Sequence, residues 1–362
     1  MIEINQKPVL TTAVAGVLGL AAAPAQALEA EISGHVNRAY MAADDGEDSR
    51  SMFVDMQNSN TRFRFVGTGE LTPDITAGIR IETEFVSNQS DEVTIQDPDA
   101  GGGADSNIKV DGRHFDTFFR GAFGQINLGK GDGAGNNLAE IDISGSKIAG
   151  YQSAQFTGGA IRFQQNGSLG PSIGETFSSF DFESRYDRIG YRTPAFGPVV
   201  ASATLGTKDG NDVGDLAVEY TGGLDGGHRL AAGLAFSSEN VGGVADSQET
   251  FGGTVSLLLA NGWSVTGTYT TNEDSDPANP DASFVYTKVG YKVGQHAFGV
   301  NYGLTEDLAE KGDESTMTGL TYVFKPVGWA EVYANAKVHS LDRSGDDFDD
   351  VSIIALGSRI KF

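Results

Sequence analysis

The stretch IIALGSRIKF, residues 353–362, closes the chain and decides how the rest is read. Apolar and polar residues alternate through it, and it stops on an aromatic with no polar tail. Ile354, Leu356, Ile360 and Phe362 share one face, while Arg359 and Lys361 hold the other. Chain ends are ordinarily loose and polar. A last strand with a greasy face asks for a sheet that closes on it and for an apolar medium outside.

The same period of two runs through the chain. WSVTGTYT puts Trp263, Val265, Gly267 and Tyr269 opposite Ser264, Thr266, Thr268 and Thr270. VYTKVGYKV sets Val285, Val289, Tyr291 and Val293 against Tyr286, Lys288, Gly290 and Lys292. ITAGIRIETEF sets Ile75, Ala77, Ile79, Ile81 and Phe85 against Arg80, Glu82 and Glu84. One such strand fits a soluble sandwich equally well; count and spacing decide more. Sixteen segments alternate in this way, the first near 30–41, the second near 59–71 and the last near 349–362. Short turns such as Thr72-Pro73, Ala260-Asn261 and Gly294-Gln295 join them in pairs. Between pairs come longer stretches rich in Asp, Asn, Gly and Ser, such as MAADDGEDSRS, NEDSDPANPDA and LDRSGDDFDD.

Short turns on one rim and long loops on the other are the pattern of an outer-membrane barrel. An even strand number brings the first and last strands to one seam. Closure then pairs every backbone N–H and C=O that lipid would leave unsatisfied. The expected fold is all-β: a 16-stranded antiparallel transmembrane β-barrel over residues 28–362, with short periplasmic turns, long extracellular loops and an inward-folded third loop. Phe362 and Trp263 suit an aromatic belt at the short-turn rim, and Trp329 also follows a short turn, although it falls on the polar parity of its strand.

Residues 1–27 read as a signal peptide. Val9–Ala23 is an apolar run shorter than the roughly 20 residues of a spanning helix, and PAQA at 24–27 supplies small-residue cleavage after Ala27. The chain has 49 Gly, no Cys and a net charge of −24, so disulfides, thiolate chemistry and Cys-ligated zinc are excluded. Phosphate backbones attract cations, so nucleic acid is not an expected partner. GQINLGKG resembles a phosphate-binding loop until Gly131 stands where Ser or Thr is needed, and it sits on a hairpin strand. The five His are scattered without metal-ligand spacing, and neither Gly-x-Ser-x-Gly nor His-Glu-x-x-His occurs. No catalytic residue, metal or cofactor is expected. GGGADSN at 101–107 is a weak echo of calcium-binding repeats and does not recur.

Four stretches resemble the Gram-negative general porins, the trimeric diffusion channels. NSNTRFRFVGTGELTPDITAGIRIETEF (58–85) resembles their second and third strands. RHFDTFFRGAFGQINLGKGDG (113–133) resembles the Gly-x-Phe-Gly hairpin that leads into the third loop. SRYDRIGYRTPAFGPVVASATLG (184–206) resembles the Arg-x-x-Asn-x-Ile-x-Tyr-x-Ser-Pro-x-Phe-Gly segment. SRIKF (358–362) resembles the terminal strand read by the outer-membrane assembly machinery, with Phe362 as its signal. Departures are Asp187-Arg188 for Asp-Asn, Lys130 for Arg and Phe118 for Gly.

The resemblance implies a homotrimer in lipid and lipopolysaccharide, and a pore narrowed by a third loop spanning about 131–183. It implies a basic wall with Arg62, Arg113 and Arg185, to which the strand period adds Arg64 and Arg80. Glu140 and Asp142 of LAEIDISG are the acidic candidates on the loop. Strict alternation in RHFDTFFRG opposes Arg113 to His114 and Asp116, so either a bulge shifts the register or the strand meets a subunit partner. The expected function is passive diffusion of ions and small hydrophilic solutes, with a cation preference suggested by the acidic chain. A substrate-specific channel, a barrel enzyme and a secreted β-sandwich adhesin are the alternatives.

Overall fold

The structure, a computed structural model, describes residues 28–100, 108–241, 246–276 and 279–362. The expected signal peptide and the GGGADSN run lie outside the described residues. The first strands are β1 (Glu29–Asp44), β2 (Ser49–Asp55), β3 (Arg62–Thr72), β4 (Ile75–Val86), β5 (Lys109–Gly121) and β6 (Gly124–Asp132). A long segment, 133–184, follows. It carries a hairpin of β7 (Arg162–Gln165) and β8 (Ser168–Ser172) and one helical turn, Ile173–Thr176. Then come β9 (Arg185–Arg192), β10 (Val199–Lys208), β11 (Asn211–Leu224), β12 (His228–Val241) and β13 (Asp246–Leu258). The chain continues through β14 (Trp263–Asp274), β15 (Ala282–Val293), β16 (His296–Glu306), β17 (Glu314–Val327), β18 (Ala330–Asp342) and β19 (Val351–Lys361).

Seventeen strands form one antiparallel sheet, and β7 and β8 pair with each other. β2 and β3 lie end to end on one edge of β1, opposite Arg38–Asp44 and Glu29–His35 respectively. They fill one position, so the 17 strands make 16 positions. The other edge of β1 pairs with β19, from His35↔Lys361 to Asp44↔Ser352, and the barrel is closed. Beyond β19, Phe362 and Gly34 exchange two backbone hydrogen bonds of 3.0 Å. The Phe362 ring lies over Gly34, where a Cβ would come 2.7 Å from its Cζ. The greasy final residue thus continues the seam strand and faces outward, 62% exposed.

Side chains follow the expected alternation. Trp263, Val265 and Tyr269 are exposed on the outer face, and Ser264, Thr266, Thr268 and Thr270 are buried on the inner one. Leu205, Leu216, Leu234, Val255, Leu320 and Ile354 extend the outer apolar band around the wall. A surface of this kind is at home in lipid rather than water. Trp329 lies in the turn before β18, so strand parity does not constrain it, and it too is exposed.

The apolar core lies inside the barrel. Met41, Phe284, Tyr286, Met317, Tyr333 and Ile353 of the wall meet Ile148, Ile161, Phe163, Ile173 and Phe177 of the 133–184 segment. Burying one such side chain is worth about 1.5–3 kcal/mol, so this segment is seated against β15, β17, β18, β19 and β1.

Three local expectations differ from the structure. The second strand, expected as 59–71, is broken at 56–61 and has an upper half, β2. The acidic MAADDGEDSRS is mostly strand, with only Asp45–Asp48 as the turn. Asp45 Oδ1 accepts the Asp48 N–H at 2.8 Å and Gly46 supplies φ 93°, which lets a tight turn form. Between β10 and β11 stands a two-residue turn, Asp209-Gly210, with φ 52° and 90°. Asp-Gly is the natural sequence for this hairpin geometry. Acidic composition had marked MAADDGEDSRS as a loop.

Candidate functional site

The 133–184 segment is tied to the wall by its polar groups as well. The Ile143 N–H donates to Ser256 Oγ (3.1 Å), Thr268 Oγ1 donates to Ala139 O (3.2 Å), and Thr270 Oγ1 to Ser179 O (2.8 Å). The alternation that gives β13 and β14 an inner column of hydroxyls therefore gives the loop its anchors. On β15, Lys288 Nζ donates to Asp142 Oδ2 (2.7 Å) and to Gly150 O (3.0 Å), with both charged side chains fully buried. On β18, Lys337 Nζ donates to Ala154 O at 2.9 Å.

Between this segment and the opposite wall lies a cavity of about 740 Å³. Its wall side carries Arg62 and Arg64 of β3, Glu82 of β4, Arg113 and His114 of β5, and Arg185 of β9. Its loop side carries Glu140, Asp142, Lys147, Tyr151 and Asp181. Arg229, Lys325 and Arg359 also line it, from β12, β17 and β19.

Glu82 gathers the wall arginines. It accepts from Arg64 Nε at 2.5 Å and Arg113 Nε at 2.7 Å, and lies 3.5 Å from Arg62. Arg113 also donates to Glu84 at 2.6 Å. The geometry depends on a bulge: Glu82 pairs with His114 and Thr83 with Gly112, leaving Arg113 as the extra residue. Arg113, His114 and Asp116 therefore all turn inward, which resolves the parity conflict in RHFDTFFRG. Arg185 is far less committed, with Asp132 3.8 Å away. Arg80 is not part of the lining; it is bound to Asp116 through two hydrogen bonds of 3.1 and 2.9 Å.

On the loop side Asp142 is neutralised by Lys288. Burial would raise its carboxyl, but Lys288 and the Ser144 hydrogen bonds outweigh that and hold it below the ordinary range. Glu140 accepts a short hydrogen bond from Ser153 Oγ. Asp181 accepts the N–H groups of Asn137 (2.8 Å) and Ala139 (3.0 Å). Burial raises both carboxyls, and the charge of Glu140 raises Asp181 further. Two buried carboxyls so placed titrate as a unit, and one of them keeps its proton above the ordinary carboxylate range. Asp181 is raised further than Glu140, so the proton rests on Asp181 and the negative charge on Glu140.

The cavity thus brings together Arg62, Arg64, Arg113, Arg185, Glu140 and Asp142 of the expected set and leaves out Arg80. Phe362 lies at the seam, apart from it. Arg359 and Lys325 were missed although they stand on the inner parity of their strands. Asp181 carries no periodic signal, because its place depends on the path of a loop. Eight cationic side chains line the cavity against five acidic ones.

A family model described as Gram-negative porin matches residues 11–343. Comparison with curated protein sequences gave no match. Among solved structures, the barrel is similar to an anion-selective porin from Comamonas acidovorans. There the identity is 19%, the TM-score 0.66, and coverage 92% of this chain and 100% of that one. It is similar to the trimer form of OmpT, an outer membrane protein of Vibrio cholerae, at 14% identity, TM-score 0.60 and coverage of 93% and 100%. It is also similar to the outer membrane channel DcaP of Acinetobacter baumannii, at 11% identity, TM-score 0.58 and coverage of 93% and 98%.

Proposed function

This chain belongs to the Gram-negative porins and forms an outer-membrane channel for passive diffusion, and we propose that its 133–184 segment narrows the pore to an anion-preferring constriction. The observation that carries the reading is the excess of eight cationic over five acidic side chains around the cavity. The whole chain is strongly acidic, and that suggested cation preference. Much of the acid, however, lies on the long-loop rim: Asp44, Asp45, Glu47 and Asp48 in the first turn, and Asp342, Asp346, Asp347, Asp349 and Asp350 near the last loop. Ion preference is set where the pore is narrow, because wide mouths are screened within about 10 Å at 0.1 M salt.

The functional unit is a homotrimer held in lipid and lipopolysaccharide, with residues 1–27 removed as a signal peptide and Phe362 serving the assembly machinery. The related OmpT structure is described as a trimer. The lumen works by field and size alone, and no covalent step is assigned to it. Arginines on one wall and the Glu140 charge on the other set up a transverse field that favours polar solutes.

Conductance in a planar bilayer under a KCl gradient tests the reading. Stepwise insertions, closure in thirds under voltage and a reversal potential of anion-selective sign are expected. A silent bilayer from folded, inserted protein would overturn the channel, and a cation-selective sign would overturn the preference.

The carboxyl pair adds a pH dependence. Raising the pH through its elevated range removes the shared proton and adds one negative charge to the constriction. Anion preference should therefore weaken in the native channel as the pH rises through that range. In Glu140→Gln/Asp181→Asn, which keeps neither carboxyl, the reversal potential should stay flat over that range.

A further inference from the structure

Beyond the arginine wall, three cations converge on one carboxylate. Glu331, at the start of β18, is 1% exposed. Lys325 Nζ lies 2.7 Å from its Oε1, Arg359 Nε donates to Oε2 at 2.7 Å, and Lys361 Nζ is 3.3 Å from Oε1. Among the described residues no other carboxylate comes within 4.0 Å of Lys325, Arg359 or Lys361. Three positive charges against one negative leave two unmatched. Glu331 gathers cations that would otherwise repel one another, and it is itself shielded from solvent.

The unmatched charge faces water. The side chains of Lys325 and Lys361 are 42% and 38% exposed. Both lie on the inner parity of their strands, as do Arg359 and Glu331. The cluster is thus in the lumen, away from lipid headgroups. Lys325 and Arg359 also line the cavity, so the cluster is continuous with the constriction. Arg359 is fixed from a second direction, donating to Ser59 Oγ at 2.6 Å beside the break between β2 and β3. A held guanidinium flanked by two partly exposed ammonium groups suits a compact ligand with two negative charges better than a monovalent ion.

We propose that Lys325, Arg359 and Lys361, gathered by Glu331, form a binding station for compact oxyanions of charge two or more at the short-turn end of the lumen. The proposal rests on the anion-preferring reading above and adds a ligand class and a place to it. An anion leaving the arginine wall would be received there before release, so transport of such anions should saturate where chloride flux does not.

The test uses the full-length channel in a planar bilayer with constant KCl, to which inorganic phosphate is added. Native channels should show a saturable fall in chloride current with phosphate and none with acetate. In the Lys325→Gln/Lys361→Gln variant the phosphate concentration for half-block should rise about tenfold, relative to its own open current. The Lys325→Arg/Lys361→Arg variant keeps the charges and should keep the block, which separates charge loss from misfolding. If native channels prefer anions but phosphate block is absent, or is equal in the Gln variant, the station is overturned while the anion reading stands. A cation-selective reversal potential in KCl removes the anion reading itself, on which the station depends.

Discussion

Replacing Lys288 by methionine should destabilise the protein by about 3–5 kcal/mol, the range for breaking a buried ion pair by removing one partner. The same change should raise single-channel conductance. Both effects have one cause. Lys288 is fully buried, and its Nζ holds Asp142 and the carbonyl of Gly150, two points on the segment that crosses the lumen. Methionine fills much of the space of the aliphatic stem but leaves Asp142 as a buried charge, with the Ser144 N–H at 2.7 Å still donating to it. The segment relieves this by moving toward water, which widens the cavity. Removing both charges, as in Lys288→Met/Asp142→Leu, should recover most of the loss, because a well-packed apolar pair is close to neutral relative to a buried salt bridge. The four proteins form a double-mutant cycle, read by thermal or urea unfolding in detergent micelles. Additive losses would show that the pair does not tie the loop down. The pH dependence has a definite sign. The Asp142 carboxyl is held below its ordinary value in the folded state. Its contribution is therefore present above the unfolded value near 3.8 and is lost as pH falls through the folded one.

The barrel was legible because its information is periodic. Inner and outer faces of β14 and β15 can be read two residues at a time, and closure followed from the even count and the greasy last strand. The breaks in that period were not legible. The bulge at Arg113 is set by the partner strand, where Glu82 takes His114 and Thr83 takes Gly112. Alternation could show the conflict at Arg113, but only the pairing resolves it. The break at 56–61 is likewise tertiary: Asp55 turns to pair with the second long loop, and its Oδ1 accepts the N–H of Thr61 at 2.9 Å. Loop positions were legible as chemistry and not as place. Glu140 and Asp142 stand two residues apart and look equivalent, yet one shares a proton with Asp181 while the other is matched by a lysine on the wall. Whole-chain charge is silent about place for a related reason, since much acid lies on exposed turns and loops while the cavity is lined by cations on inner strand positions.

Reversing two arginines should reverse the sign of ion preference. Arg185 and Arg229 are the choices, because both line the cavity and neither is bound into the Glu82 network. The nearest carboxylate to Arg185 is 3.8 Å away, and among the described residues Arg229 makes no ion pair. Arg185→Glu/Arg229→Glu therefore breaks little, and the barrel should fold with near-native stability. The count decides the outcome. At a pH above the titration of the Glu140–Asp181 pair, eight cations against five ionised acids is an excess of three positive charges, and the double change leaves six against seven, an excess of one negative charge. The reversal potential in a KCl gradient should change sign at 0.1 M salt. It should shrink toward zero at 1 M, where the screening length falls to about 3 Å and the lining charges no longer reach across the lumen. The corresponding Gln variant leaves six cations against five acids and should fall between, still weakly anion-preferring. If the native sign persists in the Glu variant, selectivity is not set by this cavity, and the arginines around Glu82 would then be a structural network rather than the filter.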